Sequence, residues 1–131
     1  MGIKEMAEQA QTEIKSLTVD ETLSHHDDGS LVFVDVRDAR ELHRSGTIAQ
    51  AHNAPRGMIE FWFDPESPYY REIYGDPDKT YVLFCNAEWR SALCAKSLQD
   101  MGINNVAQLF GGLPAWREAG GPTVEKKPKT G

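Results

Sequence analysis

Long apolar runs are missing from this 131-residue chain. The longest, such as Leu31–Val34 and Val82–Cys85, fall far short of the about 20 consecutive apolar residues that a membrane-crossing helix needs, which excludes a helical span. Cysteine is scarce. Cys85 and Cys94 allow at most one disulfide, which is not the framework of a stapled secreted domain, so reduced thiols are expected. Positive charge is in deficit: 14 Lys and Arg face 20 Asp and Glu, a net charge of -6. That balance argues against nucleic acid or an anionic membrane as a partner, because both need a basic footprint. The start, Met1-Gly2-Ile3-Lys4-Glu5, lacks the basic flank and apolar stretch of a secretory signal, so a cytoplasmic location is expected.

What is present is an ordinary globular composition, 40% hydrophobic and 26% charged, over a length that suits one domain. Ile3, Met6, Ala7, Ala10, Ile14 and Leu17 recur at helical spacing, which predicts an amphipathic N-terminal arm over residues 1–16, helical from residue 3. Thr18-Val19-Asp20-Glu21 has the form of a capping box and should open a short helix. Leu31–Val34 and Tyr81–Phe84 read as buried strands ending at Asp35 and Cys85, and Val106–Phe110 reads as a third. Helices are expected over 38–44, over 90–101 with Gly102 as the stop, and over 113–119. The long connection from Thr47 to Thr80 carries Pro65, Pro68, Gly75 and Pro77 and suits a functional or lid-like loop, with one or two helical turns at Met58–Phe63. Alternation of strands with helices implies an α/β fold with a mainly parallel sheet flanked by helices. Residues 124–131, with Lys126-Lys127-Pro128-Lys129, are expected to be a basic, disordered tail.

Ligands of open α/β sheets sit beyond the carboxyl ends of the strands, where Asp35 and Cys85 both fall. The stretch Cys85-Asn86-Ala87-Glu88-Trp89-Arg90 joins a strand end to a helix start. Successive backbone N–H groups and the helix dipole favour a thiolate or a bound anion at such a place, so Cys85 is the candidate nucleophile. Arg90 offers a planar fork of donors to hold an oxyanion or pin the loop, Ser91 offers a hydroxyl, and Trp89 is placed to wall the pocket. Glu88 brings negative charge to this site: turned outward it is harmless, turned inward it disfavours an anionic donor.

Four ordered segments carry a family resemblance from about residue 17 to 123. Val34-Asp35-Val36-Arg37-Asp38 with Glu41 resembles a D-x-R element, and Gly46-Thr47-Ile48 with Ala51, Asn53 and Pro55 resembles a G-H-I-P-G-A segment. Residues 85–90 resemble an active-site loop, and Gly111-Gly112 with Trp116, Ala119 and Gly120 resembles a closing G-G…W…A-G element. All four belong to the rhodanese-like, thiosulfate sulfurtransferase family. The resemblance implies a single rhodanese domain over 17–123 with a five-stranded sheet. It implies a Cys85 persulfide that takes sulfur from thiosulfate or a similar donor and passes it to cyanide, a thiol or a protein thiol, with neither metal nor organic cofactor. Asn86, Ala87, Glu88, Trp89, Arg90 and Ser91 would line the substrate, with Asp35, Arg37 and Arg56 behind them. Two other readings stay open. One is a sulfur carrier or interaction domain without catalysis. The other is a phosphatase-like or arsenate-reductase-like relative, although those place five residues between cysteine and arginine and this chain places four.

The remaining residues of chemical interest have plainer readings. Cys94 faces the apolar side of its helix and reads as a buried structural thiol. His25-His26-Asp27-Asp28 lacks the partner ligands of a closed metal site. His43 and His52 are unassigned. Phe61, Trp62, Phe63, Tyr69 and Tyr70 are expected mainly to anchor their loop to the core.

Overall fold

The computed structural model describes residues 1–127. Its main sheet is parallel throughout, with strand order β1-β6-β5-β2-β4, where β1 is Ser16–Leu17, β2 Leu31–Asp35, β4 His52–Asn53, β5 Thr80–Phe84 and β6 Val106–Leu109. A separate antiparallel ribbon pairs β3, Thr47–Ile48, with β7, Thr123–Val124. The helices are α1 Ile3–Glu13, α2 Val19–Leu23, α3 Ala39–Ser45, α4 Ile59–Phe63, α5 Trp89–Asp100 and α6 Gly112–Glu118.

Strand periodicity sorts the core into two layers. Val34, Tyr81, Leu83, Cys85 and Val106 face one way and pack with Ile59 and Phe63 of α4 and Cys94 and Leu98 of α5. Phe33, Val82, Phe84 and Leu109 face the other way and pack on Leu113 and Trp116 of α6. Both faces of the sheet are covered, which is why β2 and β5 read as continuous apolar runs. Gly121 is required here by close approach: a Cβ on it would lie 2.3 Å from the Trp116 ring, whose Nε1–H donates to the Pro122 carbonyl at 2.9 Å.

The expected capping box forms at Thr18, and a second one that was not expected forms at Asp38. Thr18 and Glu21 bond reciprocally at the start of α2, and Asp38 and Glu41 at the start of α3. The arm departs from expectation. Its helix stops at Glu13 and Ile14 is extended, because Ser16 and Leu17 are drawn into parallel pairing with Gln108 and Leu109. Only Ala7 and Ala10 of α1 are buried, while Ile3 and Met6 are exposed, so the apolar face is narrower than the spacing suggested. Val124, the first residue of the expected tail, is paired with Thr47. Pro128 and Lys129 of the expected tail lie outside the described residues.

Candidate active site

Strand β5 ends at Phe84, and residues 85–88 turn the chain into α5 at the carboxyl edge of the sheet. Gly112 at the start of α6 fixes this turn. Its φ is +63°, and a Cβ there would lie 2.4 Å from the Ala87 carbonyl oxygen, 2.6 Å from that of Cys85 and 3.2 Å from that of Asn86. The Leu113 N–H donates to the Cys85 carbonyl at 3.0 Å. Three successive carbonyls therefore point at α6. In trans peptides the following N–H groups, those of Asn86, Ala87 and Glu88, point the opposite way, giving a row of donors on the far side of the loop.

The Cys85 side chain is buried, and its Sγ lies 3.5 Å from the Ser91 hydroxyl. Ser91 Oγ is 3.0 Å from Gln108 Oε1 and 3.3 Å from the Glu88 carbonyl, and Gln108 Nε2 reaches back to Ser16 Oγ at 3.4 Å. A hydroxyl has one proton and rotates freely, so Ser91 accepts from a Cys85 thiol and can turn its proton toward a thiolate. Gln108 is the residue that sequence reasoning missed. Its signal is a single amide inside the otherwise apolar, buried strand Val106–Leu109.

Arg90 serves as a latch. Its guanidinium donates to both Glu41 oxygens, at 2.7 and 3.3 Å, and so ties the α5 N-terminus to α3. The Arg90 bond holds the Glu41 carboxyl below the usual carboxylate range, and Glu41 in return raises the Arg90 guanidinium. Glu41 Oε2 also accepts the Asp38 N–H at 3.1 Å, so one carboxylate closes the α3 cap and grips the active loop.

Asp35 and Arg37 form a fully buried ion pair. Arg37 donates to Asp35 at 2.8 and 3.0 Å, to Ser45 Oγ at 3.0 Å and to the Gly46 carbonyl at 2.6 Å, while Thr47 Oγ1 donates to Asp35 at 2.7 Å. These bonds are spent on fastening the end of α3 and β3 to β2. None of these bonds is made to Cys85; they seat the end of α3, the helix that carries Glu41. Arg56 is exposed and lines a groove of about 400 Å³ between α4 and α5 with Glu60, Leu93 and Cys94.

Cys94 is buried in the same cluster as Cys85, and burial pushes its thiol up to about 12. Trp89, 42% exposed, stands at the loop surface, as do Asn86 and Ala87. His26 is accounted for by packing: its ring lies against Phe33 and Trp116, and its Nε2 is 2.9 Å from the Ala49 carbonyl. Phe63 stacks on Tyr74 at 4.4 Å, and Arg71 covers Trp62 at 3.5 Å, whereas Phe61 and Tyr69 are exposed. No helix among the described residues is long and apolar enough to cross a membrane.

Among known proteins, the chain is 44% identical, over 95% of each chain and with a TM-score of 0.87, to a Rhodopseudomonas palustris protein of unknown function described as a possible tyrosine phosphatase. It superposes on a thiosulfate sulfurtransferase from Pseudomonas aeruginosa with a TM-score of 0.78 at 25% identity, covering 97% of this chain and 23% of that one. It is 31% identical over 98 residues to an uncharacterised Synechocystis protein, covering 75% of this chain. The chain spans about half the length of that relative, 49%. Residues 18–119 match the rhodanese-like domain, and with the loop, the G-G element and the sheet order all in place, the chain belongs to the rhodanese-like family.

Proposed function

We propose that this protein is a sulfurtransferase in which Cys85 carries sulfane sulfur as a persulfide. The observation that supports this reading best is the 85–88 turn, whose carbonyls are packed on Gly112 so that its N–H groups face away from them. A thiolate or persulfide on that side meets several donors and the start of α5.

In the first displacement the Cys85 thiolate attacks the outer sulfur of thiosulfate or a related donor. A new S–S bond forms, the donor's own S–S bond breaks, and sulfite departs with the electron pair. In the second, cyanide or an acceptor thiolate attacks the outer sulfur of the persulfide and the Cys85 thiolate is restored. Both halves are covalent catalysis, so ping-pong kinetics follow. Ser91 supplies a movable O–H to whichever sulfur bears charge, and Gln108 holds that hydroxyl when the thiol is neutral. No proton transfer to a histidine is needed, and no metal or organic cofactor enters the scheme. Small sulfur donors, with cyanide, thiols or a protein thiol as acceptors, are the partners, and a reducing cytoplasm suits two free thiols.

The name of the Rhodopseudomonas relative raises phosphatase chemistry as a second reading. Two features stand against it: the loop has four residues between Cys85 and Arg90, and the guanidinium a phosphate would need is already held by Glu41.

The test is intact-protein mass after thiosulfate treatment and desalting without reductant, followed by cyanide. One added sulfur, absent in Cys85→Ser and removed by cyanide, is the expected result. No adduct from thiosulfate, polysulfide or a persulfide donor would overturn the proposal.

A further inference from the structure

The matched family region begins at residue 18, yet the helix that precedes it reaches the active loop. Helix α1 rests on α5 through Ala7 and Ala10, which are 0% and 3% exposed. It is pinned by Gln99 Nε2 donating to the Glu13 carbonyl at 2.7 Å and by Lys96 against the Glu13 carboxylate at 3.5 Å. From this platform Gln11 Nε2 donates to Glu88 Oε2 at 3.3 Å, across 77 residues of sequence.

Glu88 is the lone acid in the stretch 85–91, and it stands at the N-cap of α5. A carboxylate at an N-cap ordinarily folds back onto the first N–H groups of its helix, drawn by hydrogen bonding and by the dipole. Here it makes no side-chain capping bond, because it is turned sideways onto α1. The backbone of the same residue is close to the reacting centre: the Glu88 carbonyl is 3.3 Å from the Ser91 hydroxyl, which is 3.5 Å from Cys85 Sγ. A capping carboxylate would occupy the first N–H groups of α5, the positive end that an anion beside Cys85 also faces.

We infer that α1 is a working part of the site: Gln11 is a positioning residue that holds the Glu88 carboxylate out of the anion cradle, and Glu88 is the determinant that discriminates reagents by charge. Once released from Gln11, Glu88 competes with anionic substrates for the start of α5. Held, it still leaves a fixed negative charge beside the loop that ranks doubly charged donors below singly charged or neutral ones. This deepens the sulfurtransferase reading by assigning donor selection to two residues, and it rests on Cys85 being the reacting thiol.

The experiment uses two alkylating reagents that need no sulfur chemistry. Rates of Cys85 modification by iodoacetate, an anion, and iodoacetamide, which is neutral, are measured by mass on the peptide that carries Cys85, in the full chain. Their ratio cancels the thiolate fraction and any general change in accessibility, so a purely structural defect leaves it unmoved. Relative to wild type, Glu88→Gln should raise the iodoacetate-to-iodoacetamide ratio by about threefold at low salt, and Gln11→Ala should lower it by about twofold. Both effects should shrink at 0.5 M salt. In the Glu88→Gln background, Gln11→Ala should have no effect. A ratio indifferent to Glu88→Gln, or lowered equally by Gln11→Ala in both backgrounds, overturns the inference. If the ratios move as expected while no persulfide forms, the sulfurtransferase reading fails and the charge discrimination stands. If persulfide forms while the ratios stay fixed, the reverse holds.

Discussion

Cys85 and Cys94 lie nine positions apart in the chain, both buried, and both in the layer of core between the sheet and α5. Composition and burial do not distinguish them; the backbone around each does. Cys94 is in the middle of α5, where every nearby N–H is committed to the helix, and burial alone drives its thiol up to about 12. Cys85 follows the last residue of β5, at a turn whose N–H groups have no strand or helix partner of their own, and it touches a hydroxyl that can reorient. A buried thiol is inert by default, and a local surplus of donors makes it usable.

The sharpest way to break this comparison is to exchange the residues' fates. Cys85→Ser should abolish sulfur uptake, while Cys94→Ser should keep it within about twofold of wild type, read by mass and by kcat/KM. Labelling gives the same contrast without mutation. At pH 8–9 an ordinary thiol is substantially ionised, whereas Cys94, raised by burial, stays protonated and unlabelled until the chain is denatured.

The next largest effect should come from Gly112→Ala. The added methyl would meet three loop carbonyls at 2.4–3.2 Å, and a left-handed residue with a Cβ is strained as well. A stability loss on the order of 3 kcal/mol is expected, with a fall in kcat of about 100-fold from the displaced N–H row. Denaturant unfolding and steady-state rates check the two parts. Wild-type turnover in this variant would mean that the turn is not what makes Cys85 reactive.

The smallest effect belongs to the Glu41–Arg90 latch. Glu41→Gln should lower kcat/KM by about tenfold through misplacement of the loop, and should cost only about 0.5–1 kcal/mol in stability, since both partners are partly exposed. The Glu41 carboxyl is depressed in the folded state, so its contribution is complete above the usual Glu value of about 4.3 and disappears as the pH falls through the depressed one. Unfolding curves of wild type and Glu41→Gln should therefore differ at pH 7 and converge in acid.

How far the sequence could be read depended on where each interaction finds its partner. Strands β2 and β5, helix α5 and the capping box at Thr18 were legible because their signals are local: an apolar run between turn residues, a helical period, a hydroxyl three positions before a glutamate. Cys85 was legible because a strand end and a helix start flank it. The two-residue strands β3, β4 and β7 have no period to read and exist only through Val124, Val34 and their neighbours. Ser16 and Leu17 continued the helical spacing of α1 and were claimed by β6 instead, a tertiary pairing that overrode a weak local preference. Arg90 had two open roles, and its bond to Glu41, 49 residues away, could not be read from the sequence. Gln108 and Gln11 were invisible as site residues because their partners, Ser91 and Glu88, are distant in sequence.

The pairing of β1 with β6 also has a consequence for synthesis. The first strand of the sheet must wait for residues 108 and 109 before it has a neighbour, and the amide that completes the Cys85–Ser91 chain is itself Gln108. Strand β1 and the Ser91–Gln108 contact thus both depend on β6, so Cys85 is made before the residue that orders its hydroxyl neighbour.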